Sequence, residues 1–226
     1  KVYRRIQWNY NMWSRWDFSG KNLYRAMNTN SHYQWANFWS SGLGFTYENL
    51  DISKNALRGG PLLRRPNGTA VTFYINTDSR KKVQFGLNSV YGRSQEGIVR
   101  VQDYGFYVSM QPTNAMSLSI RPSFNRFQRL EQYVTQVDFE DEIRYINAEV
   151  DQQTFSLTVR LNYNITPDLT LQYYGQPFIS RGQYQNFNRT TNNTLGKRFN
   201  DRFEQFTAIS FDEENEVYLV DENDDR

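Results

Sequence analysis

The chain of 226 residues has no cysteine, a single histidine and only six prolines. Without cysteine, neither a disulfide framework nor a thiolate zinc site can form. The lone histidine, His32, excludes a metal centre built from several histidines of this chain. The longest unbroken apolar run, Val217 to Val220, has four residues, whereas a membrane-crossing helix needs about 18. The apolar side chains must therefore act through a pattern other than a long helix.

Charge is distributed unevenly along the sequence. Residues 212–226 hold eight acids and one base, while residues 1–211 carry 25 bases and 16 acids. A basic body can indicate nucleic-acid binding, which needs a contiguous basic patch. Here arginines such as Arg100, Arg121, Arg144 and Arg160 each follow an apolar residue within an alternating run. They are therefore expected to be spread over one face of a sheet, and nucleic acid is not expected as a partner.

Strict alternation of apolar and polar residues is the dominant pattern. From Phe155 to Ile165 every odd position is apolar and every even position is polar. Such a period of two is typical of a β-strand with one apolar and one hydrated face. Together with turn residues, the pattern predicts ten strands joined in sequence as an antiparallel meander. They cover residues 2–16, 22–37, 40–49, 69–78, 82–92, 98–111, 115–138, 142–165, 169–180 and 206–220.

Two architectures produce alternating strands. In a soluble sandwich the apolar face points inward, whereas in a transmembrane barrel it meets lipid and the polar face lines the lumen. The polar positions here are Ser, Thr, Asn, Gln and Arg rather than Lys and Glu, which favours a hydrated lumen. Tryptophan and tyrosine near strand ends resemble interfacial girdles; they are Trp13, Trp16, Trp35, Trp39, Tyr163 and Tyr173.

The favoured fold class is therefore all-β, an antiparallel up-and-down transmembrane β-barrel, partial, with about ten strands in this chain. A soluble β-sandwich is the alternative. The barrel predicts lipid-facing positions at Phe155, Leu157, Val159, Leu161, Tyr163 and Ile165. It predicts lumen-facing positions at Arg121, Arg160, Asn162 and Asn164.

Few residues suggest chemistry. The run Arg58, Gly59, Gly60, Pro61 lies on a long loop, and we expect it to fold into the lumen or pack on its rim rather than to bind a ligand. Asp221, Asn223 and Asp225 have the spacing of a calcium loop, although Arg226 stands where that loop needs glycine. A solvated acidic tail is the favoured interpretation, and a Ca²⁺ loop completed by further residues is the alternative. No catalytic residue and no other cofactor are predicted.

Several short motifs together resemble a known family. They are Leu57-Arg-Gly-Gly-Pro61, Thr77-Asp-Ser-Arg-Lys-Lys82, Arg121-Pro122, Gln132-Tyr-Val134, Arg144-Tyr145, Asp151-Gln-Gln153, Leu157-Thr-Val-Arg-Leu-Asn-Tyr163, Thr166-Pro167 and Gln176-Pro-Phe178. Over roughly residues 35–222 the chain resembles the C-terminal region of a Bacteroidetes outer-membrane family of unknown function. Its members have an N-terminal domain similar to family-9 carbohydrate-binding modules, followed by a β-barrel. The resemblance implies a β-barrel in the outer membrane.

The resulting expectation is one segment, residues 1–226, of a single outer-membrane barrel with an acidic C-terminal stretch at 212–226. The N-terminal module and the closing strands are expected to lie outside this chain. The expected role is a non-enzymatic passage, scaffold or anchor at the cell surface. Its partners would be outer-membrane lipid, other outer-membrane or surface proteins, and glycans bound by the N-terminal module. The alternatives are an anchor for a carbohydrate-binding or hydrolase module, or a soluble sandwich that acts as a binding module.

Overall fold

The computed structural model describes residues 2–140, 142–215 and 217–221, most of them in β-strands. A 3₁₀ turn covers Gln95–Gly97, and the short helix α1 covers Phe199–Arg202. The strands are β1 (Tyr3–Trp16), β2 (Asn22–Trp35), β3 (Ser40–Ser53), β4 (Leu63–Arg65), β5 (Gly68–Asn76), β6 (Val83–Ser94), β7 (Val99–Thr113), β8 (Met116–Phe139), β9 (Glu142–Thr166), β10 (Leu169–Gly175), β11 (Phe178–Thr190), β12 (Phe203–Gln205), β13 (Ala208–Asp212) and β14 (Val217–Asp221).

The first twelve strands form one antiparallel sheet. Its order is β1-β2-β3-β5-β6-β7-β8-β9-β11-β12, with β4 paired to β3 and β10 paired to β9. The all-β antiparallel meander predicted from the sequence is therefore confirmed. Within the described residues no pairing joins β1 to the opposite edge, so the sheet is open and closure into a barrel stays a prediction.

Two predicted strands are wrong in detail. The strand predicted over 169–180 is two strands, β10 and β11, because Pro177 lies between them and has no N–H to donate to the ladder. The strand predicted over 206–220 is the hairpin β13–β14, which forms a separate two-stranded sheet. Asp212 starts its turn, since its carboxylate accepts hydrogen bonds from the backbone N–H groups of Glu214 and Asn215 at 3.0 and 3.2 Å.

The two ends of the large sheet differ. Short turns near residues 36–39, 77–82, 114–115 and 167–168 mark one end, called here the turn end. At the other end, called the cap end, residues 54–67 and 191–202 form long connections. The buried apolar cluster Leu57, Leu63 and Phe203 lies in these connections and the adjoining β4 and β12. The well-packed core is thus beside the sheet, at its cap end, and not along its length.

Two β-bulges bend the sheet next to this cap. One lies in β8 between Arg129 and Gln132, and the other lies in β11 between Gln185 and Asn188. Both face the same stretch of β9, near Ala148, whose side chain is fully buried. Bulges bend a strand and increase its twist. Here they redirect the far ends of β8, β9 and β11 toward the cap connections.

Candidate functional site: an apolar band, a polar face and a capped pocket

One face of the large sheet carries a continuous apolar band. Because paired residues of adjacent strands point to the same face, the register defines rows of side chains. One such row is Trp8, Ser31, Leu43, Phe73, Ser89, Tyr104, Phe124, Phe155 and Ile179. Its apolar members are largely exposed: 54% for Leu43, 50% for Phe155 and 75% for Ile179. Nothing in the described residues covers this face.

The six residues predicted to face lipid all lie in this band. Phe155, Tyr163 and Ile165 are exposed, while Leu157, Val159 and Leu161 are partly covered by neighbouring strands. In register on β8, their partners are also apolar: Val159 pairs with Ile120. The band thus continues sideways across strands, as a lipid-facing surface requires.

The band ends abruptly toward the cap end. The second row beyond that of Phe155 is polar on five of six adjacent strands; it comprises Tyr47, Thr69, Arg93, Arg100, Gln128 and Asp151. On the same face Asp151 pairs with Arg126 at 2.6 Å.

The height of the band can be worked out from its length along β9. From Phe155 to Ile165 the strand rises about 33 Å. A strand tilted by about 40° would place those ends about 25 Å apart along the barrel axis, which is the height of a lipid-facing band in membrane barrels.

Aromatic side chains lie at both ends of the band. Trp16 is exposed beside the β1–β2 turn at the cap end, whereas the exposed Trp13 lies on the opposite face, with Asn9 and Asn11. Trp35 and Trp39 flank the β2–β3 turn at the turn end, where Trp35 stacks on Tyr33 at 5.8 Å. Tyr163 and Tyr173 also lie toward the turn end, on β9 and β10. This distribution resembles two girdles.

The opposite face is lined by amides and hydroxyls that bond across strands. Asn9 donates to Asn30 at 2.8 Å, and Asn30 donates to Asn28 at 2.6 Å. His32 donates from Nε2 to the Asn30 oxygen at 2.9 Å, and its Nδ1 accepts from the Tyr74 hydroxyl at 2.8 Å. Since its neighbours are an amide and a phenol, His32 belongs to this network, and no Ser–His–carboxylate arrangement includes it.

The four residues predicted to face a lumen lie on this polar face. Asn162 donates to Ser117 at 3.3 Å, and Asn164 accepts from Thr170 at 2.9 Å. The guanidinium groups of Arg121 and Arg160 lie over tyrosine rings of neighbouring strands, at 5.6 and 5.4 Å from the ring centroids. Asn162 and Asn164 thus belong to the hydrogen-bonded network and the two arginines contact rings beside it, while the lining of a lumen by this face stays a prediction.

Glycines let large rings lie flat on the polar face. Gly42 pairs in register with Tyr74, and Gly86 pairs with Tyr107. A Cβ built at Gly42 would lie 2.2 Å from the Tyr74 ring, and one at Gly86 would lie 2.0 Å from the Tyr107 ring. The tyrosine rings thus occupy the space that a side chain at Gly42 or Gly86 would fill. Such cross-strand packing of an aromatic ring on a glycine stabilises glycine within a sheet.

The loop with Arg58, Gly59, Gly60 and Pro61 packs on the cap end. Arg58 and Gly59 have positive φ values of 47° and 107°, which explains the glycine. A Cβ at Gly60 would lie 2.6 Å from the ring of Tyr145, so this position needs glycine for close approach. The predicted structural role on a rim agrees with this packing, and the loop anchors the buried Leu57 and Leu63.

A buried ion pair holds the cap connections together. The Arg202 side chain is fully buried, and its Nη1 lies 3.1 Å from the Glu131 carboxylate and donates to the Arg64 carbonyl. Arg65 Nε lies 3.7 Å from the other Glu131 oxygen and 3.8 Å from Asp51. Burial raises the pKa of Glu131, and these arginines oppose that effect. The cluster links β3, β4, β8 and α1 beyond the apolar band.

A pocket of about 250 Å³ opens on the polar face beside this cluster. Its floor is formed by small side chains of β5 and β6, namely Gly68, Ala70 and Gly92, and Arg65 and Pro66 also line it. One wall carries Glu48 and Asp51 of β3, and the other carries Phe127 and Arg129 of β8. Sequence reasoning missed this pocket. The sequence signal that could have indicated it is the presence of three small residues, Gly68, Ala70 and Gly92, at polar-face positions of β5 and β6, where larger side chains are usual.

The proposed calcium residues cannot be assessed in the same way. Asp221 ends β14, whereas Asn223 and Asp225 lie outside the described residues. Elsewhere in the described ranges no group of three or more His, Asp or Glu side chains could hold a metal ion. No helix of the described part of the chain is long and apolar enough to cross a membrane.

The fold and its surfaces define a class of protein: a wide antiparallel β-sheet with one bare apolar face, one hydrogen-bonded polar face and a capped end. A sequence model of a domain of unknown function (DUF5916) matches residues 1–217. The chain belongs to this family. No curated protein and no solved structure gave a match.

Proposed function

We propose that this chain forms part of a β-barrel of the bacterial outer membrane, with its apolar band in lipid and its polar face lining the lumen. In this proposal it acts as a passage, scaffold or anchor at the cell surface and carries no catalytic centre of its own. Its partners are membrane lipid and other outer-membrane or surface proteins.

The observation that carries the proposal is the bare apolar face. Large aliphatic and aromatic side chains are exposed on eight of nine adjacent strands, and those of β8 are half-buried, over about the height of a bilayer core. A soluble monomer rarely exposes an apolar patch of more than a few hundred Å². Lipid contact gives these side chains an apolar environment without any further protein layer.

The polar face supports the same conclusion. In a soluble sheet that packs by one face only, the other face usually carries Lys and Glu in contact with bulk water. Here it carries Asn, Gln, Ser, Thr, Arg and Tyr joined in hydrogen-bonded chains, such as Asn9 to Asn30 to Asn28. Each such bond contributes about 1 kcal/mol. A face of this kind is typical of a barrel interior.

A soluble binding module is the second candidate, because the sheet has free edges and its apolar face could pack against another protein layer. An anchoring role is also consistent with the bare face. In that case a longer Bacteroidetes protein would carry a sugar-binding module, similar to family-9 carbohydrate-binding modules, or a hydrolase module, outside these residues.

The test is fractionation of cells that produce the full-length protein. We expect it in outer-membrane fractions, resistant to a carbonate wash, and extracted by detergent with a heat-dependent shift on a denaturing gel. Recovery in the aqueous fraction without detergent would contradict the proposal and support the soluble module. If the protein is recovered in the outer membrane, a second measurement separates a passage from a scaffold or anchor: a passage gives single-channel current steps in planar bilayers, and a scaffold or anchor does not.

A further inference from the structure

The pocket of about 250 Å³ at the cap end is lined by Arg129, whose guanidinium has no hydrogen-bond or ion-pair partner in the described residues. The Nε of Arg129 is buried. Several buried polar side-chain atoms of the described residues have no hydrogen-bond partner. Of these residues, Arg129 is the one that lines this pocket. A buried N–H without an acceptor is energetically unfavourable, because it has lost its hydrogen bond to water.

The acids of the pocket are already engaged. Glu48 accepts a hydrogen bond from the Tyr24 hydroxyl at 2.8 Å. Asp51 lies 3.6 Å from Arg15 and 3.8 Å from Arg65. Glu131 and Asp51 favour the charge of Arg129 from a distance and Arg65 opposes it, but none of the three bonds to it. Arg129 lies five residues beyond Phe124 of the apolar band, and burial lowers its pKa to about 10, so the group stays charged at neutral pH.

The arrangement around Arg129 matches a small ligand with an oxyanion. A guanidinium offers a planar fork of donors that fits a carboxylate or a phosphate. The Phe127 ring lies 4.7 Å from the Arg129 guanidinium and orients it. The Thr46 hydroxyl lines the same pocket, and although it accepts from Asn28 at 2.9 Å it can still donate to a ligand oxygen. The volume of about 250 Å³ equals about eight water molecules, the size of a monosaccharide or a small dicarboxylate.

We propose that this pocket binds a small carboxylate- or phosphate-bearing ligand through Arg129. The ligand supplies the acceptor that the protein does not, and the small floor residues Gly68, Ala70 and Gly92 leave it room. This proposal does not depend on the membrane proposal, because the pocket lies at the cap end, beyond the band.

The experiment is calorimetric titration of the purified full chain, in detergent micelles or in buffer according to where it accumulates. The probes are inorganic phosphate and glucuronate, with glucose as the neutral counterpart of glucuronate. We expect at least one anion to bind and glucose to bind at least tenfold more weakly. Which anion binds distinguishes a phosphate ligand from a sugar acid.

Two variants connect binding to the pocket. Arg129→Gln removes the donor fork, and Gly92→Leu fills the floor, where a Cβ has ordinary contacts of 3.5 Å and more. Each should weaken binding at least tenfold. Arg129→Gln breaks no hydrogen bond of the protein but removes a charge that favours the carboxylates of Glu131 and Asp51, so Gly92→Leu tests the pocket without that change. Arg100→Gln, an exposed arginine on β7, is the matched control and should bind like wild type.

The outcomes separate clearly. Loss of anion binding in both pocket variants, with retention in Arg100→Gln, supports the site. No binding of either anion to the wild type, equal binding of glucose, or unchanged affinity in Arg129→Gln and Gly92→Leu would overturn it.

Discussion

Replacement of Val159 by arginine tests which medium the apolar band meets. Val159 lies near the middle of the Phe155–Ile165 face and pairs with Ile120 on one side and Gly175 on the other. If this face contacts lipid, a guanidinium there enters the hydrocarbon near its midplane. Such a change costs about 2–4 kcal/mol in membrane barrels, which lowers the folding equilibrium constant about 30- to 900-fold.

Asn162→Arg is the matched control, because Asn162 is three residues away on the same strand but on the polar face. It gives up one hydrogen bond, to Ser117 at 3.3 Å, and its new charge lies among hydrated groups. We expect a loss of about 1 kcal/mol or less. The assay is folding into lipid vesicles across a urea series, with the folded fraction read from the heat-dependent gel shift.

The pair of variants gives a sharp contrast. Loss of vesicle folding in Val159→Arg, with near-normal folding of Asn162→Arg, is the expected result. If Val159→Arg folds in vesicles as well as wild type, the face does not contact lipid and the reasoning fails. In the soluble alternative with an uncovered face, the same substitution changes stability in buffer by less than about 0.5 kcal/mol.

Three further predictions concern the cap and the turns. Glu131→Gln leaves Arg202 buried without its counter-charge and should lower the free energy of unfolding by about 3–5 kcal/mol. Replacing both Glu131 and Arg202 by apolar residues should restore most of that free energy. Urea unfolding measures both changes. Gly60→Val brings a side chain into Tyr145 and should cost about 1–3 kcal/mol in the same assay. Hydrogen bonds from Arg80 lower the pKa of Asp78 to about 2. The ionised carboxylate therefore stabilises its turn fully above the ordinary pKa near 4, and this stabilisation is lost as the pH falls through about 2. Hydrogen exchange of residues 77–82 should show this loss in wild type and no such pH dependence in Asp78→Asn.

The sequence predicts the large sheet well, because a period of two is a local signal. The eleven alternating residues from Phe155 to Ile165 fix a strand and assign each side chain to a face. Neighbouring strands repeat the pattern, and short turns bring them together in order. Predicted and observed bounds of β6, β8 and β9 therefore differ by two residues or fewer.

The cap could not be predicted, because its contacts join residues far apart in the sequence. Arg202 meets Glu131 across 71 residues and Arg64 across 138. Nothing in the local pattern around Arg202 distinguishes it from the exposed arginines nearby. The pocket has the same origin, since its walls come from β3 and β8 and only the register of five strands brings Asp51 and Arg129 to one cavity. Alternation indicates which face a residue occupies, but not what folds over that face.

The free edge formed by β1 bears on how the sheet is completed. Edge strands of soluble proteins are protected by lysine, proline, inward charges or short length. β1 has 14 residues with neither lysine nor proline, and arginine occurs only near its two ends. Between them Trp8, Tyr10 and Met12 are exposed at 60%, 78% and 79%. In water such an edge would invite aggregation. A strand of this composition is instead suited to pairing with another strand within a membrane, and closure removes the unpaired backbone groups that lipid cannot solvate.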